Sequence, residues 1–214
     1  MEKKKFDMGR LQLALLVVLA VLVAYNQMQL FAIAKTGGLV PTSASNVLAN
    51  VIPSGTPRAY GSELGIKYDD VTPSNPQLAD QSIEVMANLD RTLTLSGDDL
   101  TRYINIAGQI SCEYCCGAKS IIFSNGQPAC GCAHSYAMRG LAKYLILNHG
   151  REFSDNQILE ELAKWKTLYF PGQMTAKAKV LSEQGIDVNY INLGSNKYRG
   201  IEKGVAGSGM VGGC

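Results

Sequence analysis

The cysteines of this chain are concentrated in one short segment. Five of the six cysteines and one of the two histidines lie within residues 112–134, in the pattern C-x2-C-C-x13-C-x-C-x-H. Thiolates combined with an imidazole suit Zn(II), Cu(I) and iron–sulfur clusters, and a tetrahedral metal site needs four such ligands. The segment therefore predicts a soft-metal site. Its candidate ligands are Cys112, Cys115, Cys116, Cys130, Cys132 and His134.

The spacing of the cysteines indicates how a single metal ion is held. We favour the two pairs with short chelate loops, Cys112 with Cys115 and Cys130 with Cys132. The two remaining candidates then complete a second site or serve as exchange ligands. Because Cu(I) accepts two or three sulfur ligands and forms thiolate-bridged clusters, this surplus of ligands favours Cu(I) or Zn(II) over an iron–sulfur cluster.

Two other uses of the cysteines stay open. In an oxidising compartment they form a disulfide framework, and because the segment holds an odd number of cysteines, one thiol is left over or pairs with Cys214. One disulfide beside a smaller metal site is also consistent with the count. Thiol–disulfide exchange through Cys112 and Cys115 is the third possibility, although Gly117 and a predicted hairpin follow where a thioredoxin-like site has a helix.

Composition and motifs narrow the remaining classes of function. The chain has 20 basic and 18 acidic residues, and this balance gives no support for nucleic-acid binding. We find no paired carboxylates, nucleophile elbow or phosphate-binding loop that would indicate a hydrolase, kinase or dehydrogenase. The sequence thus favours a non-catalytic protein that binds a soft metal for sensing, storage or delivery, with a metal donor or acceptor or a membrane protein as partner. A structural zinc or disulfide scaffold for protein interaction stays open as the alternative.

The segment containing Cys130, Cys132 and His134 resembles a known family. Its residues Pro-Ala-Cys-Gly-Cys-Ala-His, positions 128–134, are similar to the motif of the extracytoplasmic PCYCGC proteins. The resemblance implies a membrane-attached protein whose cysteine run binds metal. The chain departs from the family pattern in two respects: it lacks the cysteine between the proline and Cys130, and it adds the cysteines of residues 112–116.

The N-terminal sequence predicts a membrane anchor. Lysines at positions 3–5 precede an uncharged run over residues 11–34, which is long enough to cross a bilayer core that requires about 20 residues. Basic residues before such a run hold the N-terminus in the cytoplasm, so residues 1–10 are predicted to be a cytoplasmic tail. The rest of the chain is then extracytoplasmic, held by the lipid bilayer or secreted after cleavage near Ala34.

The remaining sequence predicts an α+β fold that is mainly helical. Residues 35–75 are rich in Gly, Pro, Ser and Thr and are assigned as a linker, residues 76–194 as the Cys-rich domain, and residues 195–214 as a flexible tail ending in cysteine. Helices are predicted from Pro76, after His134, from the capping box at residues 154–157, and over residues 175–184. Residues 100–110 fit neither the helical nor the strand periodicity, and their type is left open. A β-hairpin that turns at residues 124–126 is predicted to join the two cysteine-containing segments, residues 112–117 and residues 128–134.

Overall fold

The computed structural model describes residue 19, residues 51–204 and residues 209–213. The chain divides into two units, residues 1–43 and residues 44–214. The described part of the second unit is helical. Two short 3-10 helices, Tyr68–Asp70 and Asn196–Tyr198, accompany the α-helices. In chain order the α-helices are α1 (Gly61–Leu64), α2 (Pro76–Thr92), α3 (Gly97–Ala107), α4 (Ala133–His149), α5 (Asp155–Tyr169), α6 (Pro171–Glu183) and α7 (Tyr190–Gly194).

Helices α2 and α4 pack closely because a glycine lies between them. The helix predicted at Pro76 is confirmed, and Asn75 caps it by accepting a hydrogen bond from the backbone of Leu78 at 3.3 Å. A Cβ atom at Gly140 of α4 would lie only 1.8 Å from the carbonyl oxygen of Met86 in α2. Only glycine permits this approach, so any larger residue at position 140 would separate the two helices.

Helix α5 forms the centre of the core. Its capping box is confirmed: the Ser154 side chain accepts a hydrogen bond from the Gln157 backbone N–H, and the Gln157 side chain accepts one from the Ser154 backbone N–H at 2.9 Å. The predicted apolar face is buried, with Trp165 and Tyr169 both fully shielded from solvent. Burial of such large aromatic side chains contributes several kcal/mol, so α5 is held mainly by packing.

The segment before α2, residues 51–75, contributes buried side chains to this core. The hydroxyls of Tyr60 and Tyr68 both donate to the Glu161 carboxylate of α5, at 2.6 Å and 2.5 Å. The indole nitrogen of Trp165 donates to Tyr60 at 2.8 Å. This buried network joins the segment before α2 to the middle of α5 and satisfies the polar atoms that burial would otherwise penalise.

The predicted β-hairpin is wrong, and with it the α+β class. The turn at residues 124–126 is present, but the described residues contain no strand, and a single bridge joins Ile122 to Pro128. Phe123 donates its backbone N–H to Gln127 at 2.7 Å and Ala129 donates to Ile121 at 3.1 Å, but the Ile121 N–H turns to the Ile110 carbonyl at 2.9 Å, so the pairing does not extend into strands. The part of the chain that the structure describes is therefore helical, without a sheet.

The prediction of a transmembrane helix also requires correction. Within the described residues, every helix is too short or too polar to cross a bilayer. The run over residues 11–34, apart from Leu19, and the basic tail over residues 1–10 lie outside the described residues. The predicted single-pass anchor, and the extracytoplasmic location derived from it, are thus contradicted.

Candidate metal centre

The cysteine segment is a loop that connects α3 to α4 and turns back on itself. Cys112 follows directly on the buried Ile110–Ser111 pair, and Glu113 then adopts a positive φ of 66°, which reverses the chain. At the other end of the loop, Cys132 is the N-cap residue of α4. The start of a helix carries partial positive charge, so this position favours an anionic sulfur.

Three sulfur atoms converge where the two ends of the loop meet. The Sγ atoms of Cys112, Cys130 and Cys132, which we call the sulfur group, all lie within 4.8 Å of one another. Cys132 Sγ is 3.3 Å from Cys112 Sγ and 3.5 Å from Cys130 Sγ. Cys116 joins the same group, because it forms a disulfide with Cys130 with their Cα atoms 6.6 Å apart. Four predicted ligands are thus brought together.

The other two predicted ligands occupy different positions. Cys115 is half-buried and lies outside the sulfur group. His134 is fully buried in the first turn of α4, against the rings of Tyr169 and Phe170 with centroids 4.6 Å and 5.1 Å away. Its Nε2 atom donates to the carbonyl of Val211 at 2.9 Å. In place of the pair favoured from the sequence, Cys112 with Cys115, the structure brings Cys116 to the group.

A hydrogen bond between the Sγ atoms of Cys112 and Cys132 shifts the pKa values of both residues. A hydrogen bond from Cys132 is the main cause that lowers the pKa of Cys112, with help from Ser135 and Lys166, although burial opposes it. The same hydrogen bond and burial raise the pKa of Cys132 to about 12, although His134 lowers it. The contact therefore favours ionisation of Cys112 over ionisation of Cys132.

Buried positive charge lies behind Cys112. The ammonium groups of Lys166 and Lys177, both with fully buried side chains, share the Glu113 carboxylate at 2.9 Å and 3.3 Å. Burial lowers the pKa of Lys166 to about 8, although Glu113 opposes this shift. Burial raises the pKa of Glu113, but the two lysines outweigh it and the net shift is downward. The two buried ammonium groups thus share one carboxylate, that of the residue next to Cys112.

A buried arginine fixes the backbone of Cys130. Arg139 of α4 donates through Nη1 to the Cys130 carbonyl at 2.8 Å and to Ser135 Oγ at 3.0 Å. Its Nε atom pairs with Asp90 of α2 at 2.8 Å, and both side chains are almost fully buried. Because a planar guanidinium that makes several hydrogen bonds holds its partners in one geometry, Arg139 keeps Cys130 in place near the N-terminus of α4.

The cysteines of the sulfur group differ in their access to solvent. Cys132 lines a cleft of about 670 Å³ between α2 and the start of α4, with Asp80, Ile83, Tyr136 and Gly213 among the other lining residues. Cys116, the disulfide partner of Cys130, is exposed, whereas Cys112 is only 1 % exposed. A small molecule or an ion can therefore reach Cys132 from the cleft, while Cys112 is shielded from solvent.

Sequence reasoning missed Glu113, Lys166 and Lys177, which form the charged surroundings of the sulfur group. Glu113 stands between two cysteines, and this was the one local sign that its carboxylate lies near the site. Nothing in the helical pattern of α5 and α6 distinguished the two buried lysines from solvated ones. Their burial depends on the Glu113 carboxylate, which reaches them from a loop more than fifty positions earlier in the chain.

The arrangement suits soft-metal chemistry and thiol–disulfide exchange. Thiolates held beside a buried cation and a helix N-terminus can bind a thiophilic ion, and a thiol 3.5 Å from a disulfide sulfur can attack it. Comparisons with protein-family models, with curated proteins and with solved structures found no match. The resemblance of residues 128–134 to the PCYCGC motif is neither supported nor contradicted by this outcome and stays a prediction.

Proposed function

We propose that the chain binds one soft metal ion, Zn(II) or Cu(I), through the thiolates of Cys112, Cys116, Cys130 and Cys132, and exchanges it through the cleft. The observation that carries this proposal is the convergence of four sulfur atoms from two ends of one loop. Soft thiolates select Zn(II) and Cu(I) among the biological metals. The number of sulfurs matches a tetrahedral zinc site, and Cu(I) would use two or three of them.

The spacing of the sulfurs supports the fit of a metal ion. A tetrahedral zinc with Zn–S bonds of about 2.3 Å holds its sulfurs about 3.8 Å apart. The contacts of Cys132 with Cys112 and Cys130, at 3.3 Å and 3.5 Å, are a few tenths of an ångström shorter. Side-chain rotation can supply outward shifts of that size at these two contacts, whereas the sulfurs of Cys116 and Cys130 separate only after their disulfide is reduced.

The buried charges favour a negatively charged centre at this place. Two ammonium groups that share one carboxylate leave an excess of positive charge in the interior, which is costly unless an anion compensates it. Glu202 is buried as well, and after burial the carboxylates of Glu113 and Glu202 are the next causes that raise the pKa of Tyr114. A metal tetrathiolate carries net negative charge, so binding completes the compensation around Lys166.

The disulfide determines when four thiolates are available. The sulfur of Cys130 cannot be both a disulfide partner of Cys116 and a thiolate ligand. Reduction of this bond takes two electrons and two protons from a dithiol reductant, which becomes a disulfide, and it yields the two thiols. The fully reduced chain thus offers four sulfurs, and the oxidised chain offers Cys112 and Cys132 alone within the sulfur group. Metal binding is coupled to the redox state of one bond.

The test is a metal titration of the full-length chain in its reduced and disulfide-bonded forms, followed by native mass spectrometry. With Zn(II) and Cu(I) as separate probes, we expect one ion per reduced chain and affinity at least about tenfold lower in the oxidised chain. Cys116→Ser should reproduce the weaker binding in the reduced chain, and the neighbouring Cys115→Ser should not. Absence of bound metal from the reduced chain would contradict the proposal.

Thiol–disulfide exchange is the second candidate, favoured by the 3.5 Å contact between Cys132 and Cys130. In this reaction the Cys132 thiolate attacks Cys130 Sγ, a Cys130–Cys132 disulfide forms, and Cys116 leaves as a thiolate. The reaction requires an ionised Cys132, yet its pKa is raised to about 12. Reduction of a disulfide substrate by the metal-free, fully reduced chain, in which two thiols of the chain become a disulfide, would favour this function over metal binding if Cys132→Ser abolished it.

A further inference from the structure

A second cavity lies between helices α2, α3 and α4 and the turn at residues 125–128. Its volume is about 360 Å³, which is in the range of sites that hold small organic molecules. Among the described residues, no cysteine lines it, so it is separate from the sulfur group. Two polar residues of the turn that line it, Asn125 and Gln127, are exposed to solvent. Much of the remaining lining is apolar and comes from Leu93, Leu95, Leu100, Pro128 and Tyr136.

Each of the three helices contributes a polar side chain to this cavity. These are Asp90 of α2, Tyr103 of α3 and Lys143 of α4. The ammonium group of Lys143 pairs with Asp90 Oδ1 at 2.7 Å and donates to the Asp90 backbone carbonyl, also at 2.7 Å. An ammonium group has three N–H bonds. Two of them are directed at Asp90, and the third remains for another acceptor.

The hydroxyl of Tyr103 is a buried donor without an acceptor. Tyr103 is 1 % exposed, and its hydroxyl oxygen has no hydrogen-bond partner among the described residues. Burial, and after it the Asp90 carboxylate, raises the pKa of Tyr103, although Arg139 opposes the shift, so the hydroxyl keeps its proton. A buried hydroxyl without a partner is costly and uncommon. Because Tyr103 lines the cavity, an acceptor bound there would satisfy it.

The charges around the cavity leave one positive charge in excess. The Asp90 carboxylate is shared by two cations, since Arg139 Nε pairs with it at 2.8 Å in addition to Lys143. Arg91, the other cation that lines the cavity, is already paired with Glu84 at 2.5 Å on the surface. Arg139 and Asp90 have almost fully buried side chains, so water compensates their charges poorly. A ligand with a single negative charge would complete the balance.

We propose that this cavity binds a small organic acid as its carboxylate anion, which accepts hydrogen bonds from Lys143 and Tyr103. One negative charge matches the excess of one positive charge, and charged acceptors form the strongest hydrogen bonds. The leucine side chains would pack against the apolar body of the acid, a contribution that inorganic phosphate cannot make. Binding here requires neither a metal ion nor reduction of the Cys116–Cys130 disulfide. Its test is therefore independent of the metal centre.

The first measurement is a nuclear magnetic resonance titration of the full-length, metal-free chain with the disulfide intact. The probes are benzoate, benzamide, which has nearly the same shape without the charge, and inorganic phosphate. We expect saturable shifts of the Leu95 and Gly126 amide signals with benzoate, and affinity at least about tenfold lower for the other two probes. Absence of saturable shifts with benzoate, or equal affinity for benzoate and benzamide, would overturn the inference.

Two substitutions identify the groups that bind the carboxylate. Tyr103→Phe keeps the ring and removes only the unpartnered hydroxyl, so the chain should stay folded and benzoate affinity should fall by about fivefold. Tyr169→Phe is the matched control, because its hydroxyl is also buried without a partner among the described residues but does not line the cavity. Benzoate affinity that is the same in Tyr103→Phe and in wild type would contradict the assigned role of the hydroxyl.

Lys143→Met should lower benzoate affinity by at least about tenfold and remove the preference for benzoate over benzamide. Lys179→Met is its control, because Lys179 lies on α6 with its side chain 52 % exposed. The thermal midpoint of each variant shows whether it is folded at the temperature of the titration. A folded Lys143→Met chain that still prefers benzoate over benzamide would refute the carboxylate site.

Discussion

The two sides of the sulfur group differ in charge and in access. On the closed side, Cys112 is 1 % exposed and lies beside Lys166, which is fully buried. On the open side, Cys132 is half-buried at the cleft, and the Val211 carbonyl accepts a hydrogen bond from His134 in the first turn of the same helix. The closed side determines which sulfur is ionised, and the open side determines what can reach it. Affinity and exchange are therefore assigned to different residues.

The largest expected effect is the loss of the closed-side sulfur. Cys112→Ser removes the thiolate that the neighbouring charges stabilise, so stoichiometric metal binding by the reduced chain should be lost. Cys132→Ser removes the thiol with the raised pKa and should weaken binding less, while accelerating release. Isothermal titration with Zn(II), together with transfer rates to a chelator, measures both quantities. Equal losses of affinity in the two variants would break the distinction between the two sides.

A pH effect on stability is expected from Lys166. Its pKa is lowered to about 8 in the folded chain, from an ordinary value of 10.5, so between these two pH values the unfolded state binds more protons. The free energy of unfolding should therefore rise with pH across this window, by about 3 kcal/mol for this group, and this gain is absent below pH 8. The difference between wild type and Lys166→Met in urea unfolding measures the contribution of Lys166 together with its coupling to Cys112 and Glu113.

The charge of Lys166 should also affect the metal. Lys166→Met removes the buried cation nearest Cys112, which should raise the pKa of that thiol and weaken metal binding by about tenfold. Lys164→Met is the matched control, because Lys164 lies on the same helix and pairs with Glu160 and Glu161 near the surface. The thiolate absorbance at 240 nm gives the titration of the thiols. Equal effects in the two variants would show that the closed side does not tune Cys112.

The smallest effect concerns access. In the metal-free chain with the disulfide intact, a bulky maleimide should modify Cys132 several times faster than Cys112, because only Cys132 faces the cleft. Ionisation favours the opposite order, since Cys112 has the lower pKa. For a large reagent we expect burial to outweigh ionisation. Methyl methanethiosulfonate is small, so its preference for Cys132 over Cys112 should be weaker. Peptide mass spectrometry after short exposure measures both rates, and faster modification of Cys112 by maleimide would reverse the assignment of the sides.

The sequence predicted the helices better than the loop between them. Helix α2 has a Pro at its first position and α5 has a capping box, and such local signals identify helix starts without tertiary information. Helix α6 begins at Pro171, earlier than the predicted residue 175, since its first turn carries no apolar period. Residues 100–110, whose type was left open, lie largely in α3. The predicted hairpin was reduced to one bridge because the Ile121 N–H bonds to the Ile110 carbonyl, a tertiary contact that no local pattern indicates.

The composition of the site was predictable in part. The crowding of cysteines predicted the sulfur group, but the choice of Cys116 over Cys115 depends on the turn at Glu113, whose positive φ no pattern indicated. The two buried lysines were not predictable, because a lysine on a helix is usually solvated and its burial requires a partner from elsewhere in the chain. Local chemistry identified the ligands, and tertiary structure supplied their electrostatic surroundings.

X-ray absorption spectroscopy at the metal edge tests the central claim most directly. The full-length chain would be reduced, loaded with Zn(II), freed of excess ion and compared with the same chain carrying Cys130→Ser. The account predicts one zinc per wild-type chain, surrounded by sulfur at about 2.3 Å, with a lower sulfur number in the variant. A first shell of oxygen or nitrogen alone, or no retained zinc, would contradict a thiolate metal centre.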